Sequence, residues 1–485
     1  MTPSAKRAAC LFKNSILSIL SYNRQVAIKL HNTLTGKLEV FQPVKTGEVK
    51  MYHCGPTVYG TQHIGNLAMF VFTDILRRTL EYGDLVVNQV INFTDFGHLT
   101  SDADEGEDKM ARGLKNEGLS PTLANMSILA HKYAGIFLDD LQKLNIRTQD
   151  TFFPYASEFV SDQIALIKKL NEKGFAYRTA DGLYFDTAQF SDYGKLGGLS
   201  ESKNHARISP NLEKRNGQDF ALWKFNSEIG FPSEWGQGFP GWHIECSAMI
   251  FKILGEQIDL HTGGIEHIPV HHNNEIAQSE AASGKVPFVL YWLHRAHLQI
   301  ANEKIAKSLG NVIYLSEIIA KGFSPLAFRY FLLNAHYRTT TNFSWEALEA
   351  AQNAYRKLKE FYHSLAYENG EINELYKKEF SETIENDLNT PEALAVVWKL
   401  VKDESLSPTD KKMTLLDFDR VLGLDLAYNE YEVKNLPKEV EQLMIDRDIA
   451  RATGDYALSD QLREQIKGLG FLIEDIASGQ KISKL

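Results

Sequence analysis

The sequence predicts an α/β protein: a doubly wound parallel sheet, an insertion within it, and an all-helical region toward the C-terminus. Three observations carry this prediction. A strand, a helix and a second strand follow one another between Val49 and Ile91, which is a βαβ unit and implies parallel pairing. After a loop-rich stretch from about 179 to 240, strand–helix alternation resumes at about 241–300. Beyond Pro325 only helical patterns continue.

The elements follow in order. Val26–Leu30 and Val49–Tyr52 are short, apolar or β-branched and bounded by turn residues, so they read as strands. From Asn66 to Tyr82, Leu67, Phe70, Val71, Ile75, Leu76 and Leu80 recur near helical spacing. Leu85–Ile91 then reads as a buried strand, and helices are expected near 121–144 and 157–173. The later helical stretches lie near 326–335, 344–366, 391–403 and 437–467.

Composition narrows the function classes. The chain has 485 residues, 44% hydrophobic and 24% charged, with no apolar run long enough to span a membrane. Its net charge is 52 − 62 = −10, against a surface that grips nucleic acid everywhere but compatible with a local basic face. Three cysteines, Cys10, Cys54 and Cys246, fit a reducing compartment without a disulfide framework. The first 25 residues are basic, serine-bearing and free of acids, as in an organelle transit peptide or a plain extension.

Three clusters bear chemistry. Cys54-Gly-Pro-Thr-Val-Tyr-Gly-Thr-Gln-His-Ile-Gly-Asn66 leads from a strand into a helix start, where free N–H groups and the helix dipole favour phosphate. Gly55 and Gly65 permit close backbone approach there, and His63 can donate to a phosphate oxygen. Lys304-Ile-Ala-Lys-Ser308, before a glycine, suits a loop that places lysine charges on a polyphosphate, although a solvated surface loop reads the same way. Gly241–Met249 supplies the thiol of Cys246, while His271 and Glu275 stand one helical turn apart. Two cysteines, a histidine and a glutamate suit a tetrahedral zinc site, yet spacing alone does not join Cys54 to Cys246. His272, three residues before Glu275, is an alternate ligand.

Together these segments resemble the cysteinyl-tRNA synthetases, class I aminoacyl-tRNA synthetases, from about Ile28 to Asp475. His63-Ile-Gly-Asn66 stands where the family has HIGH, and Lys304-Ile-Ala-Lys-Ser308 where it has KMSKS. His271-His-Asn-Asn-Glu-Ile-Ala-Gln-Ser279 resembles the segment bearing two of its zinc ligands, and Asp387–Ala393 and Asp455–Arg463 resemble its helical region. The resemblance implies a Rossmann-like catalytic domain split by an inserted acceptor-end domain. It implies zinc ligands Cys54, Cys246, His271 and Glu275, and an amino-acid and adenylate site at Gly55, Thr57, Thr94, Trp242 and His261. ATP with Mg2+ would meet His63, Gly65, Asn66, Lys304, Lys307 and Ser308, of which His63, Asn66, Lys304 and Lys307 would be catalytic.

The implied domains are an extension at 1–25, catalytic halves at 26–120 and 241–310, an insertion at 121–240, a stem-contact linker at 311–343 and a helical tRNA-binding region at 344–485. In that last region basic groups including Arg447, Arg451 and Arg463 read singly as solvating helix faces, while the resemblance implies that together they form an RNA-facing stripe. The expected protein is a cytoplasmic monomer acting on L-cysteine, ATP and tRNA-Cys, with no membrane partner. Asn66, Ala306 and Glu266 depart from the family pattern, and the acidic loop through 96–108 is longer than usual. Two rival readings are a tRNA-independent ligase joining cysteine to an amino sugar, which would have a reduced helical tail, and a non-catalytic relative that binds RNA.

Overall fold

In a computed structural model of the chain the described residues are 28–97, 109–198, 213–300, 303–304, 312–365, 370–428, 436–476 and 479–484. The expectations for residues 1–25, Cys10, Lys307, Ser308 and the acidic loop from 98 to 108 lie outside them.

An antiparallel hairpin, β1 (Lys29–Asn32) and β2 (Lys37–Val40), precedes β3 (Glu48–His53). Helix α1 (Ile64–Tyr82) follows, then β4 (Val86–Ile91), α2 (Lys109–Asn116), α3 (Leu123–Lys143), β5 (Thr151–Phe152) and α4 (Val160–Glu172). The insertion contains β6 (Ala176–Arg178), β7 (Gly182–Phe185), β8 (Phe220–Phe225) and β9 (Gly238–Pro240). The second half brings α5 (Trp242–Ile253), β10 (Ile258–Gly264), α6 (Asn273–Ser283) and β11 (Val289–Arg295). The five strands β11-β10-β3-β4-β5 form one sheet in that order, every pair parallel. Register sets the active side: Tyr52 pairs with His261 and His53 with both Thr262 and Ile91, so Cys54 emerges between the carboxyl ends of β10 and β4. Ligands of open α/β sheets collect at that edge.

Past the sheet come β12 (Leu298–Ile300), β13 (Glu303–Lys304), α7 (Leu315–Ala320), α8 (Pro325–Leu333) and β14 (Thr341–Phe343). The helices α9 (Trp345–Ser364), α10 (Glu374–Ile384), α11 (Thr390–Lys402) and α12 (Pro408–Leu422) pack into the same apolar core as the sheet. The chain closes with α13 (Lys438–Ala452), α14 (Tyr456–Gly468), β15 (Phe471–Ile476) and β16 (Gly479–Lys484), around a separate small core of Val440, Ile466, Phe471, Ile473 and Ile482.

One buried ionic joint fastens the catalytic body to the helical region. Asp74 of α1 accepts from Arg78 Nε at 2.7 Å and Arg329 Nη2 at 2.5 Å, all three side chains being buried. Arg78 also donates to the Arg420 carbonyl, and Arg329 to that of Leu422, so two guanidiniums receive the carbonyl end of α12. Gly423 ends that helix at φ +63, and any Cβ there would lie 2.6 Å from Arg329 Nη2. Burial alone would raise the Asp74 carboxyl, but the two arginines more than reverse this and hold it at about 2.

Several sequence expectations need amendment. The first strand lies at Lys29–Asn32, slightly later than read, and α1 starts two residues earlier, at Ile64. The loop-rich stretch from 179 to 240 carries three strands, β7, β8 and β9, which join β6 in a four-stranded antiparallel sheet that the sequence reading did not foresee. Every residue of β7 is buried, which erases the alternation that marks a half-exposed strand. The region after Pro325 is not wholly helical, since it contains β14 and ends in the β15–β16 hairpin. Phe471 and Ile473 point inward while Leu472 is exposed, and that apolar outer residue hides the period of two. The expected helix at 437–467 is two helices, interrupted at Gly454 with φ +78. Finally, Arg447, Arg451 and Arg463 all pair with Asp475 on β15; Arg447 is fully buried and cannot belong to an outward stripe, while Arg451 and Arg463 stay partly exposed.

Candidate active site

The site grows from the two halves of the sheet. Cys54 follows β3, Cys246 lies on α5, and a π-helical turn at Ile268–His272 leads into α6, presenting His271 and Glu275 together. One donor atom from each of Cys54, Cys246, His271 and Glu275 lies within 4.8 Å of the other three, all four residues being buried. His271 Nε2 is 2.9 Å from Glu275 Oε1 and 3.7 Å from Cys246 Sγ, and Cys54 Sγ is 3.7 Å from the same carboxylate oxygen. Cys54 and Glu275 also share a second set with His261 and His272. His272 Nε2 lies 3.4 Å from Cys54 Sγ, and His261 Nε2 lies 2.9 Å from Glu275 Oε2.

Outer contacts hold these rings. His271 Nδ1 meets His243 Nδ1 at 2.8 Å, and the Trp242 ring lies over His271 at 4.1 Å. His272 Nδ1 meets His294 Nε2 at 2.7 Å, and His294 Nδ1 meets the Thr33 hydroxyl at 2.7 Å. Both histidines therefore keep Nε2 turned inward. Such outer partners fix ring orientation and tautomer in metal sites.

Burial dominates the electrostatics. It pushes the Cys54 and Cys246 thiols up, helped by the neighbouring Glu275 carboxylate, and it pushes the His271 imidazole down to about 4. Burial would also raise Glu275, but His261 and His271 reverse that and leave it low. Among the described residues no lysine or arginine pairs with Cys54, Cys246 or Glu275. Two thiols, an imidazole and a carboxylate drawn together without a cation can hold a soft metal ion.

The remaining expected residues surround this cluster. Gly55 approaches so closely that an added Cβ would lie 1.5 Å from the Asn92 carbonyl oxygen, which demands glycine there. Thr57 and Thr94 join in a parallel bridge, with Val58 N–H donating to the Thr94 carbonyl at 3.0 Å. His63 caps α1: its Nδ1 accepts from Asn66 N–H at 3.2 Å, and Gly65 and Asn66 occupy the first turn. Tyr314 bridges His63, and Ile64 N–H donates to the Ile313 carbonyl, so the segment leaving the Lys304–Ser308 stretch returns to the helix start. Lys304 is described only as backbone in β13, paired with Gln299.

Comparison with known proteins bears on this geometry. Residues 40–353 match the family described as tRNA synthetases class I (C) catalytic domain. A cysteine–tRNA ligase of Burkholderia lata is 42% identical over 94% of this chain and 96% of its own. The chain belongs to the cysteine–tRNA ligase family. A second cysteine–tRNA ligase, from Treponema denticola, is 39% identical over 95% of this chain and all of its own. At the level of fold, a Mycobacterium tuberculosis methionyl-tRNA synthetase bound to methionyl-adenylate aligns with TM-score 0.53 and 13% identity, over 78% of this chain and 90% of its own. A leucyl-tRNA synthetase of Agrobacterium radiobacter in a tRNA complex reaches 0.57 at 10% identity, over 80% and 85%.

Within the cysteine–tRNA ligase fold, sequence reading missed His243, His294, Glu245 and Asn92. The signal for His243 was its place three residues before Cys246 on one helix face, and for Asn92 its place at the end of a buried strand. His294, far along the chain, offered none. No helix among the described residues is long and apolar enough to cross a membrane.

Proposed function

We infer that this chain activates L-cysteine with ATP, giving cysteinyl-adenylate and diphosphate, and transfers the cysteinyl group to the 3′-terminal adenosine of tRNA-Cys. The observation that carries the reading is the buried meeting of Cys54, Cys246, His271 and Glu275. The donor chemistry favours this set over the one with His261 and His272, because two thiolates suit zinc better than one. A zinc ion held there would supply a soft ligand position for the substrate thiolate, which serine and alanine cannot use. A hydrophobic pocket alone gives only about 10–200-fold discrimination per methylene.

The chain's own residues do the rest by position and charge. Gly55, Thr57, Thr94, Trp242 and His261 hold the amino acid so that its carboxylate faces the α-phosphate of ATP–Mg2+. The α1 start with His63, Gly65 and Asn66 receives the phosphates, where the positive end of the helix dipole favours anions. Lys304, Lys307 and Ser308 close on the same phosphates, and preorganised donors of this kind stabilise the transferring charge without a covalent protein intermediate. Residues 121–240 would serve the acceptor end and 344–485 the body of the tRNA, in a cytoplasmic, monomeric enzyme.

Cysteine-dependent ATP–pyrophosphate exchange tests the first step, and charging of tRNA-Cys tests the second. Lys307→Ala should slow adenylate formation by roughly 10²–10³-fold with little change in cysteine binding. A protein that catalyses neither exchange nor charging would contradict the reading.

A further inference from the structure

A chain of hydrogen bonds behind the amino-acid site has a fixed polarity. Gly55 N–H donates to Asn92 Oδ1 at 2.9 Å, and because a backbone N–H can only donate, it fixes which end of the Asn92 amide faces it. Asn92 Nδ2 therefore faces Thr94 Oγ1, at 3.5 Å. The Thr94 hydroxyl gives its single proton to Glu245 Oε2 at 2.7 Å. Asn92, Thr94 and Glu245 are all buried, and Glu245 stands on α5 one residue before Cys246.

The inventory of a hydroxyl then decides what Thr94 can bind. With its proton committed to a carboxylate and one lone pair facing Asn92, the oxygen has one lone pair left and no donor. It can accept from a substrate N–H and cannot serve a carboxylate. Glu245, immediately behind, adds negative charge on the same side.

We propose that Glu245 is the positioning residue for the substrate's α-ammonium group. It locks Thr94 as an acceptor and supplies the counter-charge, so the amino acid seats with its ammonium toward α5 and its carboxylate toward the start of α1. This rests on the cysteine-activating reading above.

Two half-molecules of cysteine test it by their inhibition constants against cysteine-dependent ATP–pyrophosphate exchange. Cysteamine has the thiol and ammonium, and 3-mercaptopropionate the thiol and carboxylate. In Glu245→Gln cysteamine should weaken by about 10-fold or more, the scale of one charge-assisted contact, while 3-mercaptopropionate and the KM for ATP stay within about 2-fold. Thr94→Val should repeat the pattern, and decides the matter if the first variant does not fold. Equal weakening of both inhibitors would mean a structural role only, and selective weakening of 3-mercaptopropionate would reverse the assigned orientation; either overturns the proposal while leaving the enzyme reading intact. Absence of cysteine-dependent exchange in the unaltered protein would overturn both.

Discussion

Two buried polar constellations in this chain differ in how their charge is balanced. At the Asp74 joint a carboxylate meets two guanidiniums, and the surplus N–H groups go to the carbonyl end of α12. At the donor cluster two thiols and a carboxylate meet imidazoles, with no pairing lysine or arginine among the described residues. In the first, both guanidiniums find their partners within the chain, one carboxylate and backbone carbonyls. The second gathers acidic and soft donors with no cationic side chain paired to them among the described residues, which suits a bound metal ion. Complete partnering within the chain marks a structural joint, and donors left gathered around a common point mark a site.

The largest expected effect falls on the unbalanced site. Cys246→Ser should lower cysteine-dependent exchange by about 10³-fold or more, beyond the roughly 10–100-fold that losing an outer partner of a metal ligand costs. The fold should survive, as shown by an unchanged denaturation midpoint for the apo-protein. At the Asp74 joint the pattern inverts. Asp74→Asn should cost about 3–5 kcal/mol of stability in denaturant titration, because it strands buried guanidiniums.

The acid limb sharpens the same contrast. The folded-state value of Asp74, about 2, lies below its ordinary 3.8, so its contribution is present above 3.8 and is lost as pH falls toward 2. The Asn variant should lose that part of the acid transition, read by the midpoint against pH. A parallel acid limb in both proteins would contradict the joint.

Replacing the histidines one at a time distinguishes ligand from neighbour. His271→Ala should remove bound metal, whereas His272→Ala should weaken metal affinity by about 10–100-fold, measured by chelator competition. The reverse result would select the set with His261 and His272.

Asp475 gives the smallest effect. Its three arginines share that one carboxylate and two of them are partly exposed, with the Arg463 side chain at 39%. Arg463→Ala should therefore shift stability by about 1 kcal/mol or less.

How much of this was legible depended on locality. Strand–helix alternation around β3, α1 and β4 exposed the catalytic sheet because each element has one buried face at its own period. The pairing of His271 with Glu275 followed from one helical turn. Spacing could not join Cys54 to Cys246, which only the folded chain brings together, and family resemblance supplied that link. In the insertion, β7 and β9 were hidden by being buried on both faces. Arg447 misled because a basic helical face looks the same whether it faces RNA or one carboxylate on a later strand. Nothing before β15 signals Asp475.

The central claim is that the four-residue cluster binds zinc and that cysteine activation depends on it. Metal analysis of the purified protein, run alongside cysteine-dependent exchange before and after chelation, tests this most directly. The account predicts about one zinc per chain, loss of exchange with removal of the metal, recovery on adding zinc back, and little zinc in Cys246→Ser. Full exchange by protein shown to be metal-free would contradict it.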